Sequence, residues 1–254
     1  MRRVLIIAGT DSSGGAGLTR DTSVAAAHGV QVAPVVTAVT AQTDSGVSAI
    51  HPVAPDLVLE QISCALAAPV DAIKIGMLGS TETAGAVADA LTGTRCPVVM
   101  DPVLRASSGP ALNRSDAFSL IAPLMERITL LTPNLEEARV LAGLPDGRPD
   151  ALAKALGSRG VQASLIKGGH DTGEASVDLL QMPGAEPHRF SAPRLDRSQR
   201  GTGCALATAI ACRLAQGHAL PQACALAKRD IHNWIETGVF NASAPEPTPD
   251  HRSG

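Results

Sequence analysis

The stretch Val4–Gly17, VLIIAGTDSSGGAG, holds two kinds of information. Val4–Ala8 is a short apolar run, rich in branched side chains and closed by Gly9, as expected of a strand buried on both faces. Gly9–Gly17 then offers many backbone N–H groups with little bulk around them. It is not a P-loop, because no Gly-Lys-Ser/Thr follows. It is not a dinucleotide fingerprint either, since the glycine spacing fails at Arg20. The next residues, Leu18–His28, read as a helix that carries Asp21 on its first turns and stops at Gly29. Strand, glycine loop and helix make the opening of a βα unit.

Working outward, the same order recurs as far as Lys167. Strands are expected at Val32–Val39, Val70–Ile75, Pro97–Met100, Ile128–Leu131 and Ala163–Ile166. Between them lie helical segments at Asp56–Leu66, from Ser80 or Thr81 to Leu91, from Ser115 or Asp116 to Met125, after Asn134, and at Ala151–Ser158. Thr40–Gly46 reads as a polar loop and Ser107–Gly109 as a flexible one. Val177–Leu180 and His188–Phe190 form a hairpin pattern around Pro183-Gly184, and helices Thr202–Gln216 and Pro221–Thr237 close the chain. The alternation predicts an α/β fold with a mostly parallel sheet covered by helices on both faces. Residues 1–240 read as one domain and 241–254, rich in Pro, Ser and charge, as a disordered tail.

Composition narrows the function. A net charge of -3 argues against nucleic acid as the main partner. There is no membrane-length apolar run, and nothing at the N-terminus has the shape of a signal peptide. Five cysteines without a C-x-x-C pair point to free thiols in a reducing cytoplasm. With no Tyr, one Trp and three Phe, a planar ligand has to stack on aliphatic groups, Met or backbone.

Ligands of open α/β sheets bind beyond the carboxyl ends of the strands. The polar and glycine segments fall there: Gly9–Gly17, Gln42, Gly76-Met77, Asp101, Asn134 and Lys167-Gly168-Gly169. Gln42 is either a solvated loop residue or a reader of a heteroaromatic edge, since its amide both donates and accepts. Asp101 is a turn former or a ligand of metal-bound phosphate. Asn134 is well placed as an N-cap, with Glu137 completing a capping box. Lys167 faces solvent or a nucleotide phosphate. Gly201-Thr202-Gly203-Cys204 opens a helix, where unpaired N–H groups and the helix dipole favour an anion. At that position a thiol pKa is expected to fall, making Cys204 a base; otherwise Cys204 is a small packed hydrophobe.

Taken together, AGTDSSGGAG with Asp21, VVTAVTAQTDSGV, DAIKIGMLGS, VVMDPV, TPNLEEA, LIKGGH and GTGC resemble the hydroxymethylpyrimidine and hydroxymethylpyrimidine phosphate kinases of thiamine biosynthesis. These belong to the ribokinase-like superfamily, and the likeness runs in order to about Gly217. The resemblance implies a three-layer sandwich, ATP and Mg²⁺, a pyrimidine substrate phosphorylated twice, and a homodimer. It assigns Gln42 and Asp21 to the pyrimidine, with Gly9, Met77 and Val103 lining the ring. It assigns Gly201, Thr202, Gly203 and Cys204 to the anion hole and base. Asn134, Glu137 and Asp101 fall to Mg²⁺ and phosphate, and Lys167 to the nucleotide side. A pyridoxal-type kinase of the same superfamily and a non-catalytic pyrimidine-binding regulator are the alternatives. Two stretches depart from the family pattern, Asp196–Arg200 and Leu104–Pro110. Arg105 and Arg200 there are either substitute phosphate contacts or solvated surface.

Overall fold

The computed structural model describes residues 1–104, 114–169, 173–197 and 199–242. Arg105, the Ser107–Gly109 loop and most of the expected tail lie outside them.

The chain begins with β1 (Arg3–Ala8), α1 (Gly17–Ala27) and β2 (Gln31–Val36). A small hairpin follows, β3 (Ala38–Gln42) and β4 (Val47–Pro52), then α2 (Pro55–Leu66) and β5 (Ala72–Ile75). Next come α3 (Thr81–Ala90), β6 (Val98–Met100), α4 (Arg114–Ser119), a 3₁₀ turn at Ala122–Leu124 and β7 (Leu130–Leu131). The second half holds α5 (Leu135–Ala142), α6 (Pro149–Ser158), β8 (Ser164–Ile166), β9 (Ala175–Gln181), β10 (His188–Pro193), α7 (Thr202–Ala215) and α8 (Leu220–Thr237).

The main sheet runs β10-β9-β8-β7-β6-β5-β1-β2. From β2 to β8 every pairing is parallel; β9 and β10 add antiparallel. Successive strand residues point to opposite faces, so a strand apolar throughout serves two cores. Leu5, Ile7, Ile73 and Ile75 face the layer of α2, α3, α5 and α6. Val4, Ile6, Ala8 and Ala72 face α1, α7 and α8. The result is the expected helix–sheet–helix sandwich. β2 carries Pro34, which cannot donate to a ladder, and β2 is an edge strand paired only with β1 in the sheet order.

The largest departure from expectation lies between β2 and α2. The single strand expected at Val32–Val39 breaks at Thr37, and the expected polar loop is instead part of the β3–β4 hairpin. Its register slips between Ala41 and Gln42, where an irregularity interrupts the pairing. β4 is exposed along almost its whole length, so its sequence carries no apolar alternation that would mark it as a strand.

Because β1, β5, β6, β7 and β8 are parallel, Gly9, Gly76, Asp101, Asn134 and Lys167 all emerge at one sheet edge. An isolated parallel bridge ties Asn134 to Lys167. Between β1 and β5 the strand order reverses, which is where such folds form a crevice.

Candidate active site

Gly201 caps α7 in the left-handed conformation, φ 76°, that glycine adopts without strain. A Cβ at Gly201 would lie 2.3 Å from the Gly15 carbonyl oxygen, so the turn and the first glycine loop touch backbone to backbone. Gly17 is equally constrained: a Cβ there would meet the Gly9 oxygen at 2.4 Å. Two glycine-rich segments therefore close on each other, and the first N–H groups of α7 face the crevice without intrahelical acceptors.

Opposite the turn, Lys167 Nζ pairs with Asp101 Oδ1 at 2.7 Å. A Cβ on Gly203 would stand 3.2 Å from that Nζ and 3.4 Å from Asp101 Oδ2, so a side chain there would press on the ion pair. Burial alone would lower the Lys167 pKa, but the Asp101 and Glu137 carboxylates more than reverse it and keep the ammonium charged. Asn134 and Glu137 form the capping box expected: Glu137 N–H donates to Asn134 Oδ1 at 2.9 Å, and Asn134 N–H to Glu137 Oε2 at 2.8 Å. Burial pushes Glu137 up to about 7, against the pull of Lys167. Gly168 admits no side chain, since a Cβ would fall 2.0 Å from the Val177 oxygen. Arg194 gathers the carbonyls of Gly169 and Gly173, each at 2.7 Å, and so fixes this loop from outside.

These groups enclose a cavity of about 510 Å³ lined by Asp101, Val103, Asn134, Glu137, Lys167 and the turn Gly201–Cys204. A second, mostly apolar cavity of about 190 Å³ adjoins it, lined by Ala38, Gly76, Met77, Met100 and Val103. Val103 and Leu104 belong to both walls. Gly9 packs under Met77, whose Cε a Cβ at Gly9 would meet at 2.6 Å. Gln42 lines neither cavity. It ends β3, where its backbone N–H donates to Ser12 Oγ at 2.7 Å and its carbonyl accepts from the same hydroxyl at 2.9 Å.

Two expectations are corrected. The Cys204 pKa does not fall: burial pushes the thiol up to about 11, although Lys74 and a backbone N–H from Gly17 pull the other way. Burial, with the Asp21 and Asp101 carboxylates adding to it, outweighs both. Asp21 is not at a ligand surface. It is fully buried, with Oδ2 on Lys74 Nζ at 2.6 Å and Oδ1 receiving the Thr208 hydroxyl at 2.8 Å. It holds Lys74, whose charge also acts on Cys204 in the glycine turn.

The sequence and the fold are similar to those of known proteins. A model of the phosphomethylpyrimidine kinase family matches residues 11–247. The hydroxymethylpyrimidine/phosphomethylpyrimidine kinase of Streptomyces coelicolor is 42% identical over 245 residues, covering 92% of this chain and 89% of that one. That of Rhizobium meliloti is 40% identical over 238 residues, covering 91% and 89%. This chain belongs to the phosphomethylpyrimidine kinase family. Among solved structures, phosphomethylpyrimidine kinase from Clostridium difficile superposes with a TM-score of 0.79 at 31% identity, covering 92% of this chain and all of that one. Pyridoxal kinase from Staphylococcus aureus, in complex with pyridoxal, gives 0.85 at 28% identity, covering 93% and 89%. The sandwich is thus the ribokinase-like fold of these kinases.

Within this family member, the structure adds residues that sequence reading passed over. Lys74 lies in the middle of the apolar strand AIKI and is fully buried. A charge inside a buried strand demands a partner, and that was the available signal. Lys228 of α8 bonds Asp178 and Ser176, both at 2.9 Å, and all three line the larger cavity. No local motif marks them.

The other buried thiols give a test of how tightly α7 and α8 pack. Burial raises both Cys212 and Cys224 to about 12, against an ordinary value of 9.0. A raised folded-state pKa means that stability is intact below pH 9 and declines as pH climbs toward 12. The slope reaches about 1.4 kcal/mol per pH unit for each thiol. Urea midpoints measured across this range should fall, and the variant Cys212→Ala/Cys224→Ala should flatten the decline. With no tyrosine in the chain, thiolate absorbance follows the same titration without phenolate overlap.

Proposed function

We propose that this chain transfers the γ-phosphoryl group of ATP to the alcohol of 4-amino-5-hydroxymethyl-2-methylpyrimidine, and a second phosphoryl group to the resulting monophosphate, in thiamine biosynthesis. One observation carries the reading. A cavity floored by the open end of α7, with Asp101, Glu137 and Lys167 in its wall, shares Val103–Leu104 with a mostly apolar cavity bounded by Met77. Such a pair suits a phosphate chain meeting the alcohol of a small flat ring. A ring stacked on Met77 and Val103 also suits a chain almost without aromatics.

The chemistry follows from the residues. The alcohol proton passes to Cys204 in its thiolate form as the oxygen attacks the γ-phosphorus and the bond to ADP breaks. The N–H groups at the start of α7 and the Lys167 ammonium hold the charge that develops on the transferred group. Glycines at 201 and 203 let phosphate oxygens approach the backbone. Phosphoryl transfer asks little covalent work of the protein, so positioning and charge carry most of the acceleration.

The donor set suits Mg²⁺ brought in by the nucleotide. Among the described residues no group of three or more His, Cys, Asp or Glu could hold a metal by itself. Mg²⁺ is commonly held by one or two carboxylates, with phosphate oxygens and water completing its shell. Asp101, with Oδ2 turned toward Gly203, and Glu137 supply those carboxylates. The ion would neutralise phosphate oxygens.

ADP release measured with the hydroxymethylpyrimidine, its monophosphate and pyridoxal side by side tests the reading. Turnover of pyridoxal alone would move this chain to the second reading, a pyridoxal kinase, which the likeness to the Staphylococcus aureus enzyme favours. The intact Gly201–Cys204 turn argues against a regulator without catalysis. Gln42→Ala should raise the pyrimidine KM about two- to tenfold, the value of one lost hydrogen bond, and leave the ATP KM alone. Equal weakening of both would contradict edge reading by Gln42. The exposed Val39 and Ile50 on β3 and β4 support a homodimer, which light scattering would test.

A further inference from the structure

Arg200 stands immediately before the glycine turn and is neither bare surface nor free to meet a phosphate. Its Nη2 donates to Asp11 Oδ2 at 3.0 Å. Its Nη1 lies 2.8 Å from Asp44 Oδ1, 2.8 Å from Ser13 Oγ and 3.1 Å from the Thr43 carbonyl. Arg200 also packs against Gly15, where a Cβ would lie 3.0 Å from Nη1.

The acceptors belong to two separate segments. Asp11 and Ser13 lie in the first glycine loop. Asp11 is only 4% exposed, and its Oδ1 is already taken by the Ser13 N–H and hydroxyl, at 2.8 and 2.7 Å. Its second oxygen depends on Arg200. Thr43 and Asp44 lie in the turn between β3 and β4, directly after Gln42. Arg200 itself is covalently joined to Gly201. One side chain therefore links the loop beneath the ring site, the hairpin end bearing Gln42, and the turn bearing Cys204. A planar fork with several fixed donors can span such a set; a lysine presents only a point charge.

We propose that Arg200 is a positioning residue that sets the separation between Gln42 and Cys204, and through it selects which ring alcohol is placed against the thiol. The inference rests on the pyrimidine-kinase reading. It gives the departure from the family pattern at Asp196–Arg200 a purpose: the hairpin is held by this chain's own approach segment. Arg200 acts through Gln42 and the turn and touches no reacting atom. A misplacement of about 1 Å at such a site costs on the order of a hundredfold in rate.

The test uses Arg200→Met, Arg200→Lys and Asp44→Ala in the full chain, with kcat and KM measured for the pyrimidine, for pyridoxal and for ATP. Amide hydrogen exchange across residues 42–47 is followed in parallel. Arg200→Met should raise the pyrimidine KM at least about tenfold, lower kcat, and leave the ATP KM within about twofold. Its preference for the pyrimidine over pyridoxal should fall, and exchange in the hairpin should quicken. Arg200→Lys should recover part of the loss. Asp44, whose side chain is 87% exposed, can be removed without disturbing the core, and Asp44→Ala should shift the same quantities less. A pyrimidine KM that stays within about twofold in both Arg200→Met and Asp44→Ala overturns the proposal, as does a matching rise in the ATP KM, which would make Arg200 a phosphate contact. Should the wild type fail to phosphorylate the pyrimidine while exchange still quickens in the variants, the functional reading falls and the clasp between segments stands.

Discussion

Replacing Cys204 by alanine is expected to lower kcat by on the order of a hundredfold to ten-thousandfold, the range for loss of a positioned acid–base group. The pyrimidine should still bind, because the site proposed for its ring, at Met77 and Val103, lies in the neighbouring cavity, which Cys204 does not line. The raised thiol pKa adds a second expectation. With Cys204 pushed up to about 11, the thiolate is a small fraction at neutral pH, so the wild-type rate should climb with pH toward that value. In Cys204→Ala that rise should vanish. ADP release followed over pH 7 to 10 at saturating substrates reads both effects. Unchanged ADP production by the variant would remove Cys204 from the base role.

Lys74→Met should destabilise the chain by about 3–5 kcal/mol. The substitution leaves the Asp21 carboxylate fully buried with only the Thr208 hydroxyl beside it. Burial would lower the Lys74 pKa, yet Asp21 above all keeps the ammonium charged, with Cys204 and Asp101 adding to the effect. The pair is thus held by mutual need. Replacing both partners by apolar groups of similar volume, as in Lys74→Met/Asp21→Leu, should recover most of the urea midpoint. Activity should stay low in that double variant, since the cation that favours the Cys204 thiolate is gone. Full recovery of both stability and turnover would show that the buried pair serves packing alone.

The parallel sheet was legible because each of its strands is a short apolar run ended by glycine or a polar residue. Val4–Ala8 before Gly9 and Ala163–Ile166 before Lys167 show the same signature, and it located one edge of the site. The capping box at Asn134 and Glu137 was legible because its geometry depends on residues three apart. The β3–β4 hairpin was not, because β4 is exposed and its side chains record no core. Asp21 was misread as a ligand contact because its partners, Lys74 and Thr208, lie 53 and 187 positions away. The Cys204 pKa was misjudged for a related reason. The helix dipole is a local property that sequence reveals, whereas burial depends on every segment that converges there.

The contact between Gly15 and Gly201 bears on how the molecule comes into being. Arg200 and Ser13, which bracket it, are 187 positions apart. A ribosome releases the glycine loop long before the turn. Until α7 and α8 arrive, Val4, Ile6 and Ala8 on one face of the sheet have only α1 among the helices that cover them. Contacts of such long range slow folding, and the exposed apolar face invites association in the meantime. The nascent chain therefore has no anion site while most of its sheet is already made, and a chain cut short before α7 should be sticky as well as inert.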